Sequence, residues 1–158
     1  MDRETEAATP TASTGTLCLM TLGTGILVVV QTAVGMVVNL YVNVPKHHPG
    51  AHPADYFVGS FRSVIWAVAH GAGSLEVHAA LGVALVVMAT GVGVRAVRLH
   101  AGWVSFTSVL GAMLVIGAGF NGASFLDFGG QNLSWLIMAL LALGALSCYM
   151  LGLFMLKR

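Results

Sequence analysis

The chain has 158 residues, 57% of them apolar and only 8% charged, with a mean hydropathy of +0.87. A soluble domain needs a charged surface that this composition does not supply, so the bilayer is the main solvent of the chain. Seven basic residues against six acidic ones give a net charge of +1, too weak a field to track a phosphate backbone, which argues against a nucleic-acid partner.

Residues 1–14 hold Asp2, Arg3, Glu4 and Glu6, then Ala, Thr, Ser and one Pro. Too few large apolar side chains occur there to pack, which predicts a disordered tail ahead of one membrane domain over 15–158. The tail lacks the basic start of a secretory signal, and the apolar stretch 17–42 is longer than a signal core, so it reads as a retained first span. Residues 43–54, NVPKHHPGAHPA, contain three prolines, a glycine and three histidines and form a loop. Phe57, Phe61, Ile65 and Val68 then recur at helical spacing, the pattern of a short amphipathic helix lying in the interface, with Tyr56 and Trp66 at headgroup depth.

The second span covers 73–94 and ends at Arg95, Arg98 and His100. One straight helix from 57 to 99 would measure about 64 Å, twice the hydrocarbon thickness, so a break is expected at residues 70–73, His-Gly-Ala-Gly. The third span covers 103–125 and the fourth 133–156, joined by the tight turn LDFGGQN. The fold class is therefore all-α, a four-helix transmembrane bundle with a His/Pro-rich loop and an interfacial helix before the second span. Arg3, Arg95, Arg98, Lys157 and Arg158 fall at one end and Lys46 and Arg62 at the other. This basic asymmetry predicts a multi-pass protein of the cell membrane with both termini cytoplasmic and the His/Pro-rich loop outside. Twelve glycines are spread over the spans, more than four mutually packed helices need, which points to self-association or docking in a larger membrane complex. Cys18 and Cys148 read as small packing residues.

Ionisable residues inside a span are expensive, so each one invites a functional reading. Glu76 and His78 lie inside the outer end of the second span, and Gln31 lies at almost the depth of His78, so the two could meet. Asn39, Asn43, Asn121, Ser124, Asp127, Gln131 and Asn132 also fall in the outer third, as a polar pocket or as interhelical hydrogen bonding. Glu76 and Asp127 must stay protonated, find a cation or reach water. His47, His48 and His52 with Asp55 are the densest group of candidate metal ligands, for Cu or Zn. His70 and His78 are candidate axial ligands of a haem. On one regular helix they would stand about 80° and 12 Å apart, so a shared iron needs a bend, a loop histidine or a second chain.

The stretch LEVHAALG, Leu75 to Gly82, resembles the helix of haem A synthase and cytochrome b561-type bundles in which a histidine precedes small residues. The stretches NLYVNVPKHHPG and GAGFNGASFLDFGG are similar to segments of small four-span bacterial membrane proteins of no known activity. The first resemblance implies haem b near the outer face, held by His78 and His70, with Glu76 and Gln31 beside it and electrons passed to a membrane partner. The alternative is a non-enzymatic, transition-metal-binding or accessory subunit, with the loop histidines capturing the ion. No P-loop, GxSxG, HExxH or dinucleotide-binding fingerprint is present.

Overall fold

A computed structural model describes residues 12–128 and 132–157. Five helices follow in chain order: α1 (Ala12–Tyr41), α2 (Tyr56–His70), α3 (Gly73–Arg98), α4 (Trp103–Asp127) and α5 (Asn132–Leu156). All but α2 are long and apolar enough to cross a membrane. The expected disordered tail lies mostly outside the described residues, as does much of the turn at 126–132. The helix nevertheless begins at Ala12, inside the segment expected to be tail.

The four spans form a ring in which α1 packs on α3 and α5, and α4 packs on α3 and α5, while α2 lies against α3 and α4. Small residues let the helices approach: Ala89, Ala96 and Ala145 have no exposed surface, and Leu17, Val92 and Tyr149 fill the space between. Thr21 and Thr24 are buried, but each hydroxyl donates to a carbonyl four residues back at 2.8 Å, so neither is left unpaired in the apolar interior. A second apolar cluster, Val38, Ala67, Leu75 and Leu126, joins α1, α2, α3 and α4 at the loop end.

Of the twelve span glycines only Gly119 is exposed. A Cβ added at any of them would come within 4 Å of an atom of a neighbouring helix, at Gly111 within 3.0 Å of the Tyr149 ring. Close packing inside one chain accounts for these glycines.

The chain breaks where length demanded it, since Gly71 and Ala72 have extended backbone between α2 and α3. At the other end α3 runs four residues past the expected span, carrying Arg95 and Arg98 in its last turn, where cations complement the helix dipole. It stops in a Schellman arrangement. His100 takes a left-handed φ of 50°, its N–H reaches the Val97 carbonyl at 2.9 Å, and the Ala101 N–H reaches that of Ala96 at 3.3 Å.

Candidate functional site

Gln31 on α1 and His78 on α3 do meet. The Gln31 amide nitrogen donates to the His78 carbonyl at 3.0 Å and lies 3.3 Å from His78 Nε2. With the amide assigned this way Nε2 accepts, which places the ring proton on Nδ1. Two glycines make the room: a Cβ on Gly35 would lie 2.8 Å from His78 Cε1, and one on Gly82 would lie 3.1 Å from Gln31 Nε2. His78 Nδ1 and Gln31 Oε1 are buried with no hydrogen-bond partner among the described residues.

The other candidates do not join this pair. Glu76 is exposed in the first turn of α3, and His70 is exposed in the last turn of α2, ahead of the break. Of the loop candidates, the Asp55 and His48 side chains are engaged with the backbone. Asp55 caps α2, its Oδ1 accepting from the Val58 N–H at 3.0 Å. His48 stacks on Trp66 with ring centroids 4.4 Å apart, while its Nδ1 and Nε2 lie 3.2 and 3.1 Å from the Pro49 and Leu126 carbonyls. His52, at φ 51°, donates its N–H to the Asp127 carbonyl at 3.0 Å. His47 is exposed. Among the described residues no three His, Cys, Asp or Glu side chains converge as a metal site.

The most developed polar cluster is instead built on Asp127, the last residue of α4. It is 1% exposed, its Oδ2 accepts from Ser60 Oγ at 3.0 Å, and its Oδ1 accepts from Ser63 Oγ. Around it the loop presses closely on α2, with a glycine on each side of the contact. Gly50 sits at φ 103°, and a Cβ there would lie 2.6 Å from the Gly59 carbonyl; one on Gly59 would lie 2.2 Å from Pro53. Tyr56 extends the attachment along α4, its hydroxyl 2.5 Å from Ser124 Oγ and 3.3 Å from the Phe120 carbonyl.

Ser60, Ser63, Gly50 and Gly59 were not candidates in the sequence. Their signal is the run Gly59, Ser60, Ser63 and Ala67, which shares one helix face. That face is buried, while Phe57, Phe61 and Ile65 are 67, 75 and 60% exposed. α2 is amphipathic in the opposite sense from a helix on a soluble core.

Two surface grooves lie elsewhere, one along α1 and α3 beside Arg95 and one on α2 beside Arg62, and neither is lined by His78 or by a loop histidine. No family model, curated protein or solved structure matches this chain.

Proposed function

We propose that the protein is a non-enzymatic accessory subunit of a larger assembly in the cell membrane, with both termini cytoplasmic and α2 presented at the outer side. The observation that supports this reading most is the attachment of α2. Serine hydroxyls on Asp127, the Tyr56 hydroxyl and a loop fitted with glycines hold one face against α4, and the opposite face carries an apolar ridge of Phe57, Phe61 and Ile65. Arg62 is exposed beside that ridge, so a matching surface would be apolar with one acceptor or carboxylate. A photo-crosslinking residue placed at Phe61 tests it. The reading expects a discrete protein adduct in native membranes, absent when the probe is moved to the exposed Leu140 on α5. Lipid adducts alone at both positions would contradict it.

A redox cofactor is the second reading, favoured by the position of a histidine, His78, inside a membrane-length helix. The fit of haem b to this chain alone is poor, because the ring is seated between Gly35 and Gln31 and neither groove adjoins it. His78 would hold the iron only after release from Gln31, with a second ligand from His70 or another chain. A Soret band in the purified protein that His78→Ala removes would establish it. Cu or Zn on His47, His48, His52 and Asp55 is the corresponding metal proposal. It expects metal by elemental analysis that the triple His→Ala variant loses, and equal metal in both proteins would dismiss it.

A further inference from the structure

We propose that the groove between α1 and α3 binds an anionic phospholipid, with the phosphate on Arg95 and Arg98 and an acyl chain along α3. The site lies at the end of the bundle where α1 begins and α5 ends, away from the Asp127 cluster, and does not rest on the reading above. The groove has a volume of about 510 Å³, and Met20, Val87, Gly91, Val94, Arg95 and Arg98 are among its lining residues. The α3 members recur at spacings of three and four, so they form one stripe along the helix. The stripe from Val87 to Arg98 is about 16 Å long. Its charge is confined to the membrane-surface end, and the rest is apolar apart from Thr90, whose hydroxyl is turned back to the Val86 carbonyl at 2.8 Å.

Gly91 lowers the floor of the trench, where a Cβ would come 3.6 Å from Met20 Cε. Arg95 is half-buried, its Nη2 reaches the Ser13 carbonyl at 3.5 Å, and its Nε is buried without a partner among the described residues. Two guanidiniums, whose planar forks match phosphate, thus stand above an apolar channel as long as a membrane leaflet is deep. Basic pockets between spans are the recurring design for anionic lipid headgroups. A free anion would use the arginines and leave the trench idle, as would the acidic residues Asp2, Glu4 and Glu6 of this chain.

Native mass spectrometry of the full chain, delipidated in mild detergent and titrated with phosphatidylglycerol or phosphatidylcholine, tests the site. The expected result is a single preferred phosphatidylglycerol adduct. Its preference should fall about tenfold when Arg95 and Arg98 are both replaced by Gln, and by less for Arg98→Gln, an exposed position that spares the fold. Gly91→Phe, which fills the trench without altering charge, should also lower retention. Inorganic phosphate should not displace the lipid, and replacing Asp2, Glu4 and Glu6 by Asn and Gln should leave binding unchanged. Equal adducts with both lipids, or no loss in Arg98→Gln and the double variant, would overturn the proposal. Displacement by phosphate with Gly91→Phe unaffected would reduce the site to an anion contact and overturn it equally. A tail variant that cancels the effect of the arginine substitutions would assign the arginines to the tail instead.

Discussion

Asp127 and the two serines facing it are all buried, so each polar atom there depends on the others. Replacing Asp127 by Ala leaves both hydroxyls without that acceptor, and an unsatisfied buried group loses about 1–3 kcal/mol. Asp127→Asn keeps one acceptor and adds a donor, which a serine hydroxyl can accept. Unfolding in mixed micelles, followed by circular dichroism, should rank wild type above Asn and Asn above Ala, with Ala about 2–4 kcal/mol below wild type. An Ala variant as stable as wild type would show that the cluster holds nothing. The Gln31–His78 pair allows a sharper comparison, because its amide and ring are each other's surroundings. His78→Leu leaves the Gln31 amide only the backbone carbonyl of residue 78, and Gln31→Leu strands the ring, whereas the double Leu variant removes both side-chain polar groups together. The double variant should therefore be more stable than the sum of the single losses implies, with a coupling of about 0.6 kcal/mol and at most about 1.7. That this pair could meet was legible from depth alone. Its glycine sockets were not, since Gly35 and Gly82 look like any other packing glycine until the partner helix is in place.

At the scale of elements the spans follow from hydropathy, and the break at Gly71–Ala72 follows from length, because a helix of about 64 Å has no place in a 30 Å core. Which face of α2 turns toward the bundle follows from neither. A helical apolar stripe packs inward where water lies outside, whereas an interfacial helix, as this spacing predicts, turns its stripe away from the bundle. Phe57, Phe61 and Ile65 are accordingly left outward, and the small face of Gly59, Ser60, Ser63 and Ala67 turns in. Such a face can lie close only while it stays small. Gly59→Ala forces a methyl group to within 2.2 Å of Pro53, so loop 43–55 must lift away from α2. Hydrogen exchange of the Gly59→Ala protein in detergent should show faster exchange at the His52 and Val58 amides, which donate to Asp127 and Asp55. Unchanged protection at both would show that the loop does not depend on this contact. Val109→Ala, at a lipid-facing position of α4, should leave both amides unaltered.

For the whole molecule the four membrane-length helices form a closed ring with its polar attachments gathered at the α2 end. The basic residues at the opposite end set the topology proposed here, termini inside and the loop outside. A cysteine introduced at the exposed His47 should then react with an impermeant thiol reagent added outside intact cells, and one at Arg98 should not. The reverse pattern would invert the protein and with it the outer placement of α2. Function was far less legible than fold. Loop histidines and a lone span histidine suggest ligands by residue type, yet the His48 ring lies against two backbone carbonyls, and His78 is enclosed by α1. What the geometry supports is a fixed helix with an outward apolar ridge, and its purpose as a subunit surface is the central claim. The most direct measurement is the mass of the protein extracted from its own membranes in mild detergent, for wild type and for the Phe57→Ser, Phe61→Ser double variant. The account predicts a discrete assembly larger than one 16.4 kDa chain that the double variant loses while keeping its helical content. Identical masses for the two proteins, whether monomeric or assembled, would contradict it.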